Sequence, residues 1–496
     1  MEESKDLNSL MKVRINKLKE IKESLKINPF PYNYEVKNYA QEIIKNYEDY
    51  FNSEEKVSLA GRIMASRIMG KASFATIEDK TGRIQLYIAQ KNLGEETYSL
   101  FKKLDLGDII GVKGIVKKTK VGEITVYIDE LTLLTKSIRP LPVVKEKDGE
   151  VYDLFTDKEQ RYRQRQVDLI VSPGVKETFK KRLKIIKKVK KILDNQDFLE
   201  VETPVLQPIY GGAAAAPFTT HHNALDLKLY MRISPEPYLK RLIVGGLDRV
   251  YEMSKCFRNE GIDKSHNPEF TILEVYQAYS DYNDMMTLTE QIFSETALKI
   301  NGTTKINFGG QEIDLKTPWP RVKMVEALKE FASLDVLEMS DEELAKKLEE
   351  AGEELKGGFV RGLAINKLFE ALVEDKLIQP VFITHHPIET TPLCKPDYQD
   401  ENFLQRFELF INGLEFANAY SESNDPLWQR KTLYEQSLRR NVDEETPPMD
   451  ENFVQAIEVG MPPTGGLGIG IDRLVMLLTG QTSIRDVLFF PTMRPE

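Results

Sequence analysis

Cysteine is scarce in this sequence, and no long uninterrupted run of apolar residues occurs. Its 496 residues include two cysteines, Cys256 and Cys394, which stand far apart and lack metal-ligand spacing. That usage is typical of a reduced, cytoplasmic compartment. The best late apolar run, LGIGIDRLVMLL, is short and carries Asp472 and Arg473, and the opening residues MEESKDLNSL have no apolar core of a signal peptide. We therefore expect no membrane span and no membrane partner.

Two familiar nucleotide-binding patterns are missing as well. No G-x-x-x-x-G-K-[ST] stretch occurs, which argues against a P-loop. The glycines of TGGLGIGIDR, which ends at Arg473, run G-x-G-x-G, and no βαβ unit with a distal acidic residue surrounds them. They are therefore not a Rossmann fingerprint, although they allow the backbone to approach a ligand closely. If ATP binds here, arginines and a metal must hold its phosphates.

The charge balance is acidic, with a formal net charge of −10. It argues against indiscriminate nucleic-acid binding through the global field but permits local basic patches. One candidate is the segment 175–193, which has nine Lys and Arg against one Glu. Its apolar residues recur at helical spacing: Val175, Phe179, Leu183, Ile186, Val189 and Ile192. The segment is either a basic patch or, as is usual for charged helices, the solvated face of a packed helix.

The length and a hydrophobic content of 41% predict two or three folded domains of the α+β class. Residues 4–28 show helical periodicity, which ends at NPFPY. Five short alternating runs between residues 57 and 134 predict a small β-barrel. We assign residues 1–56 to an N-terminal helical extension, 57–140 to the barrel, 141–160 to a linker, and 161–496 to a large domain with a helix-rich insertion at 320–377.

Charged residues stand inside two β-like runs of CFRNEGIDKSHNPEFTILEVYQAY, residues 256–279. Glycine and proline in the loop between the runs favour an antiparallel pair. Because side chains alternate along a strand, Phe270, Glu274 and Tyr276 should share one face. The planar fork of Arg258 suits phosphate or carboxylate. The stretch indicates either a site for a nucleotide and a charged small molecule or a structural ion-pair network.

A second hairpin is predicted by Asn-Gly in FELFINGLEFANAYSE, residues 407–422. With these two residues as the loop, Phe410 pairs with Glu415, and Glu408 is a diagonal neighbour on the same face. Like charges repel unless a cation lies between them, so the pair indicates either a Mg²⁺ site or two solvated glutamates. Simple alternation puts three polar residues on the opposite face: Asn418, Tyr420 and Glu422. Bringing them to Glu415 requires a bulge, or a site that wraps the strand end.

Taken together, these stretches resemble the class II lysyl-tRNA synthetases of the bacterial and eukaryotic type. FLEVETPVL (198–206) resembles class II motif 1, FRNEG…HNPEF resembles motif 2, and GLGIGIDRL resembles motif 3. Between them, GGAAAAPF and RISPEPYLKRL follow the lysyl pattern, and the similarity covers the whole chain. The resemblance implies an OB-fold anticodon-binding barrel, followed by a catalytic domain built on an antiparallel sheet with flanking helices. It also implies a homodimer.

The resemblance implies roles at the matching positions. Arg258 and Arg473 are the implied catalytic residues, and Arg473 sandwiches adenine against Phe270. The implied lysine-binding residues are Gly212, Glu236, Arg258, Glu274, Tyr276, Asn418, Tyr420, Glu422 and Gly468. The implied ATP-binding residues are Arg258, Glu260, His266, Asn267, Phe270, Glu408, Glu415 and Arg473. Glu408 and Glu415 also hold Mg²⁺, and Pro204 lies at the dimer interface.

In the barrel, the resemblance implies that Phe74 stacks on an anticodon base, with Arg67, Gln85 and Glu123 as further contacts. From the sequence alone, an aromatic residue such as Phe74 is more often a core residue. One position departs from the family, which usually reads GGA-x-ARPF where this chain has Ala216. We expect that change to affect loop closure over lysine or the turnover rate, since arginine supplies packing as well as charge.

The implied reaction joins L-lysine to ATP, giving lysyl-adenylate and pyrophosphate, and then transfers the lysyl group to the 3′-terminal ribose of tRNA(Lys). A relative specific for aspartate or asparagine would need cationic or amide groups, whereas Glu274 and Glu422 favour a cationic substrate. A paralogue that lysylates a protein or makes dinucleotides is disfavoured by the retained barrel with Phe74. A catalytically inactive RNA-binding module is disfavoured by four intact residues: Arg258, Glu408, Glu415 and Arg473.

Overall fold

The computed structural model describes residues 2–142, 145–147, 150–152, 155–172, 174–438 and 446–495. The chain divides into two compact units, Met1–Thr156 and Asp157–Glu496. The division falls inside the predicted linker 141–160, and part of that linker lies outside the described residues. The predicted domain limits therefore stay predictions.

The first unit is a five-stranded β-barrel with three helices before it, one helix between its third and fourth strands, and a separate pair of short strands after it. Its helices are α1 (Glu2–Glu23), α2 (Ala40–Lys45), α3 (Tyr47–Ser53) and α4 (Gln90–Lys103). Its strands are β1 (Val57–Met69), β2 (Ala72–Glu78), β3 (Arg83–Ala89), β4 (Ile109–Lys118), β5 (Ile124–Thr135), β6 (Lys145–Lys147) and β7 (Glu150–Tyr152). Strands β1 to β5 match the five predicted runs and close in the order β1-β2-β3-β5-β4, which confirms the predicted barrel.

Alternation along the strands decides which side chains fill the barrel. On β3, Ile84, Leu86 and Ile88 are buried in its core, whereas Gln85 and Tyr87 point outward and are half-buried. Helix α4 lies between β3 and β4 in the chain, and β3 pairs in parallel with β5. This crossover was not predicted, because the sequence between β3 and β4 has no strong βαβ rhythm.

The second unit contains most of the secondary structure. Its helices are α5 (Lys158–Arg163), α6 (Arg165–Val171), α7 (Val175–Asp194), α8 (Glu236–Val244), α9 (Tyr282–Asn301), α10 (Met324–Ala332), α11 (Asp341–Glu350), α12 (Arg361–Leu372), α13 (Pro426–Leu438), α14 (Glu451–Glu458), α15 (Ile471–Thr479) and α16 (Ile484–Val487). Its strands are β8 (Leu199–Glu200), β9 (Leu206–Gln207), β10 (Thr219–His222), β11 (Leu227–Met231), β12 (Arg249–Phe257), β13 (Glu269–Ala278), β14 (Lys305–Phe308), β15 (Gln311–Asp314), β16 (Arg321–Lys323), β17 (Val381–Thr384), β18 (Arg406–Ile411), β19 (Leu414–Ser421) and β20 (Thr464–Gly470).

Eight strands of this unit form one sheet in the order β16-β17-β18-β19-β20-β13-β12-β8. The five inner pairings are antiparallel, as predicted, while the outermost pairs β16–β17 and β12–β8 are parallel. One face of the sheet packs against α7, α9 and α15 in a large apolar core. Helices α8 and α14 cover part of the other face. Helices α10, α11 and α12 lie within residues 320–377 and share a separate core.

The basic segment is helix α7, but its buried stripe differs from the predicted one. Leu183 is 59% exposed, whereas Arg182 and Ile185 are buried. The buried face follows Arg182 because its Nη1 donates to Asp472 Oδ1 on α15 over 2.6 Å, an ion pair that lets a charge enter the core. Within the described residues, no helix is both long and apolar enough to cross a membrane.

Candidate active site

A cavity of about 470 Å³ opens on the face of the large sheet that α7, α9 and α15 leave free. It is lined by residues from β13, β18, β19 and β20, from the first turns of α8 and α15, and from loops that include the one between β12 and β13. Every residue predicted for the catalytic site lines it: Gly212, Glu236, Arg258, Glu260, His266, Asn267, Phe270, Glu274, Tyr276, Glu408, Glu415, Asn418, Tyr420, Glu422, Gly468 and Arg473. The structure thus brings together segments that lie more than 250 residues apart in the chain.

The first predicted hairpin positions one wall of the cavity. Strands β12 and β13 pair antiparallel, as expected, with Cys256 opposite Phe270. Phe270, Glu274 and Tyr276 share the cavity face, while Leu273 and Val275 enter the core behind it. Alternation along one strand therefore separates the site from the core.

The second hairpin contains a β-bulge. Phe410 pairs with Glu415 as predicted, but the register then shifts, so that Glu408 lies opposite Asn418. Phe416 and Ala417 are both buried in the core, and the extra residue brings Asn418 onto the same face as Glu415. The sequence left two possibilities for bringing Asn418 to the face of Glu415, a bulge or a site that wraps the strand end. The structure has the bulge.

Carboxylates gather at the deep end of the cavity. Glu236, Glu274 and Glu422 are each at most 6% exposed. Glu274 accepts a hydrogen bond from the Tyr276 hydroxyl over 3.2 Å, and Glu422 is ion-paired with the buried Lys240. Burial, with repulsion from Glu236, raises the pKa of Glu274 well above its ordinary value. Such a site favours a cationic ligand, because a positive charge relieves both effects.

Glycines on β20 make room for these carboxylates. A Cβ atom on Gly466 would stand 1.9 Å from Glu422 Oε1, and one on Gly468 would stand 3.2 Å from Glu274 Oε1. A side chain at Gly466 would therefore displace Glu422. Gly468 was predicted as a ligand contact, whereas the importance of Gly466 was missed, because glycine spacing alone does not show what approaches each residue.

Arginines lie nearer the mouth of the cavity. The Arg258 guanidinium lies over the Phe270 ring, 5.1 Å from its centroid, and the buried Nε of Arg258 has no hydrogen-bond partner among the described residues. Arg473 donates to the Glu415 carbonyl oxygen over 2.5 Å and contacts His266 Nε2 over 3.1 Å. An oriented guanidinium with free donors beside an aromatic face can bind an anion next to a base.

Two predicted residues of the loop between β12 and β13 differ in environment. Glu260 is exposed at the mouth of the cavity. Asn267 is buried, and its amide is engaged by the backbone: it donates to the Glu269 carbonyl over 2.6 Å and accepts from the Thr492 amide over 3.1 Å. These bonds hold the loop in place, and an ATP contact by Asn267 stays a prediction.

Glu408 and Glu415 lie on one face, and their environment suits a cation. Burial raises the pKa of Glu408, Arg406 opposes this rise, and repulsion from Glu415 adds to it. Arg406 is ion-paired with Glu408 and donates to Asn418 over 3.2 Å. Among the described residues no His, Cys, Asp and Glu cluster forms a complete metal shell. The two carboxylates fit Mg²⁺ that takes its remaining ligands from phosphate oxygens and water.

Sequence reasoning missed two buried cations of this site, Arg406 and Lys240. Arg406 begins β18 and stacks on the Tyr420 ring at 5.5 Å. Lys240 is fully buried and pairs with Glu236, one helical turn earlier, and with Glu422. The i,i+4 spacing of Glu236 and Lys240 was a usable signal, but nothing local indicates that this pair is buried.

The barrel carries the four predicted anticodon contacts on its outer face. Arg67 lies opposite Phe74, Phe74 opposite Tyr87, and Tyr87 opposite Tyr127. The ring centroids of Phe74 and Tyr87 are 5.3 Å apart, and those of Tyr87 and Tyr127 are 4.7 Å apart. Phe74 is half-buried and lies outside the barrel core. The two tyrosines were missed, because only the pairing of β2, β3 and β5 aligns them.

The remaining predicted contacts lie on the same unit. Gln85 is on the outer face of β3 and accepts from the Thr125 hydroxyl over 2.7 Å. Glu123 is exposed just before β5.

Pro204, the residue predicted at a dimer interface, belongs to the second unit. It is exposed near the sheet edge, among three exposed apolar residues: Leu199, Val205 and Leu206.

Comparisons with known proteins agree with this architecture. The family described as tRNA synthetases class II (D, K and N) matches residues 157–494, and the OB-fold nucleic acid binding domain family matches residues 57–134. A lysine–tRNA ligase of Syntrophomonas wolfei is 52% identical over 99% of this chain and 98% of its own length. Those of Pelotomaculum thermopropionicum and Carboxydothermus hydrogenoformans are 53% and 51% identical, over 99% and 100% of this chain and 96% and 100% of their own lengths.

A nucleic-acid-binding barrel followed by an antiparallel-cored sheet that carries the motif 2 and motif 3 residues defines a class II aminoacyl-tRNA synthetase. Within that class, the chain is more than 50% identical to lysine–tRNA ligases along its whole length. The chain belongs to the lysine–tRNA ligase family, and its activity is the synthesis of lysyl-tRNA.

Proposed function

We propose that the cavity binds L-lysine with its two ammonium groups at the deep carboxylates and its carboxylate at Arg258. The observation that carries this orientation is the uneven charge of the cavity. At one end, Glu274 and Glu422 are buried, and Lys240 pairs with Glu422 but not with Glu274. At the other end, the Arg258 guanidinium has a free donor, its Nε. Gly212 and Glu236 would hold the α-ammonium, with Glu274, Tyr276 and Glu422 around the ε-ammonium. Asn418, Tyr420 and Gly468 complete the walls.

The proposed chemistry needs no protein nucleophile. A lysine carboxylate oxygen attacks the α-phosphorus of ATP, the new P–O bond forms, and the bond to the pyrophosphate oxygen breaks. Arg258 would hold the attacking carboxylate and the α-phosphate together, so that catalysis comes from positioning and charge stabilisation. Adenine would stack on Phe270, with Arg473 on its other side and Glu260, His266 and Asn267 around ATP.

Glu408 and Glu415 are the residues that would hold Mg²⁺. Bound there with ATP, the ion would neutralise phosphate charge during the transfer. Arg406 would keep Glu408 and Asn418 in place, because it contacts both side chains.

In the second step, the 3′-terminal ribose hydroxyl of tRNA(Lys) would take the lysyl group from the adenylate, with release of AMP. We further propose a cytoplasmic homodimer that pairs around Pro204. The exposed Leu199, Val205 and Leu206 support that interface, since apolar residues clustered on a surface often mark an association site.

Amino-acid-dependent ATP–pyrophosphate exchange, measured with each of the twenty amino acids, tests the proposed orientation. We expect exchange with lysine and none with aspartate or asparagine, because those substrates would bring no ammonium to Glu274 and Glu422. Exchange driven by aspartate or asparagine, without exchange driven by lysine, would overturn the proposal.

Replacing Phe74 with alanine should reduce tRNA(Lys) charging, at limiting tRNA, about 10- to 100-fold, since base stacking contributes about 1–3 kcal/mol. Lysine-dependent exchange should be unchanged, because Phe74 belongs to the barrel unit. Exposed Val121 on the same barrel, replaced with alanine, is the control. Equal loss of charging and exchange would point to a folding role for Phe74.

A further inference from the structure

Lys240 has no part in the proposed chemistry, yet it is buried beside the cavity. Its side chain is fully buried, and its Nζ lies 2.5 Å from Glu236 Oε1. The same ammonium also pairs with Glu422. Burial alone would lower the pKa of Lys240, but the two carboxylates outweigh burial and raise it, so the side chain is a permanent cation.

Negative charges outnumber positive charges at the deep end of the cavity. Three carboxylates, those of Glu236, Glu274 and Glu422, face one ammonium at ion-pair distance, that of Lys240. Lys395 attracts Glu422 only from beyond that distance. Among the described residues, no lysine or arginine forms an ion pair with Glu274, which accepts only from Tyr276. When all three carboxylates are ionised, the state that a bound cation favours, the deep end lacks two positive charges. Lysine carries two ammonium groups, and its carboxylate belongs at the opposite end, beside Arg258.

We propose that Lys240 is a resident third ammonium that sets the charge of the deep end to match a substrate with two ammonium groups. The inference rests on the lysine orientation proposed above. Lys240 is a positioning and specificity-determining residue, because it acts on the substrate through Glu236 and Glu422. It holds these two carboxylates a fixed distance apart and neutralises one of their charges. The substrate then neutralises the two that remain.

Two substitutions that each remove one charge test this balance. With lysine bound, Lys240→Met leaves three carboxylates facing the two ammonium groups of the substrate. Glu236→Gln leaves two carboxylates facing three ammonium groups, two from the substrate and one from Lys240. Each single variant should raise the KM for lysine about tenfold or more, since an uncompensated buried charge is costly. The double variant has two carboxylates for two ammonium groups, and it should bind lysine better than either single variant.

The decisive result is that the effect of Lys240→Met on the lysine KM reverses its direction between two backgrounds. The lysine KM is measured by pyrophosphate exchange. Lys240→Met should raise this KM in the native background and lower it in the Glu236→Gln background, with the ATP KM within about twofold throughout. Exposed Lys305, which is paired with Glu312 at 3.2 Å, is the matched control, and Lys305→Met should have no effect in either background. A purely structural lysine would predict a higher KM in both backgrounds, and that result would overturn the inference.

The comparison of Glu236→Gln with the double variant remains decisive if Lys240→Met alone does not fold. In the double variant both charges of that ion pair are gone, and replacing a whole buried pair is tolerated far better than removing one partner. Failure of the inference is distinguishable from failure of the proposed function. If the native protein shows no lysine-dependent exchange, the proposed function fails. If the native protein activates lysine but Lys240→Met changes the lysine KM in the same direction in both backgrounds, only the inference fails.

Discussion

Replacing Arg258 with lysine is expected to lower kcat/KM for lysine-dependent pyrophosphate exchange about 100- to 1000-fold. The Arg258 guanidinium lies on the Phe270 ring, and its buried Nε has no partner among the described residues. The group is therefore oriented by packing while it keeps a donor for an anion. A lysine at this position keeps the charge, but a single ammonium cannot donate in parallel to a carboxylate and a phosphate.

The control for this variant is Arg321→Lys, since Arg321 is exposed on the edge strand of the same sheet and lies outside the cavity. Exchange by the control should match that of the native protein. A loss of less than about threefold at Arg258, with both substrate KM values unchanged, would contradict its proposed place between the lysine carboxylate and the α-phosphate.

Replacing Glu274 with glutamine should raise the lysine KM about 10- to 100-fold and leave the ATP KM within about twofold. The substitution keeps the shape of the side chain and its contact with Tyr276, but it removes the one deep carboxylate that forms no ion pair with a described lysine or arginine. A hydrogen bond to a charged group contributes about 1.5–3 kcal/mol, and each 1.4 kcal/mol is tenfold in affinity.

The pH dependence of lysine binding separates this role from a structural one. Burial and repulsion from Glu236 raise the pKa of Glu274 in the free protein, so its carboxyl keeps its proton to a higher pH than an ordinary glutamate does. Lysine prefers the ionised form, so the native lysine KM should fall as pH rises above the range in which an ordinary glutamate titrates, and Glu274→Gln should flatten this fall. Glu269→Gln, on the exposed part of the same strand, should keep the native profile. A profile that is equally steep in Glu274→Gln would rule Glu274 out as its source.

The strands that form the site could be predicted because their signals are local. The Asn412-Gly413 turn set the pairing of Phe410 with Glu415, and alternation put Phe270 and Glu274 on one face of β13. The bulge on β19 could be stated only as an alternative. It depends on Phe416 and Ala417 both entering a core that helices from distant parts of the chain complete.

For other features, no local signal shows that the side chain is buried. The predicted stripe of α7 was wrong at Leu183, because the helix turns to bury Arg182 against Asp472, almost 300 residues later. Arg406 and Lys240 are ordinary surface residue types in the sequence. They are buried cations in the fold, because Glu408 on the same strand compensates the charge of Arg406, and Glu236 and Glu422 together compensate that of Lys240.

By itself, the sequence predicted a small five-stranded barrel and a larger α+β domain, because residue type, alternation and spacing over short stretches carry those signals. The resemblance of three of its motifs to class II lysyl-tRNA synthetases supplied the class of the protein, ATP and lysine. The tertiary structure alone decided how charge is distributed in the cavity. Whether a carboxylate is solvated, paired or left without a cation depends on side chains that meet only after strands distant in the chain pair, and the ammonium of Lys240 is counted among the charges of the site for that reason.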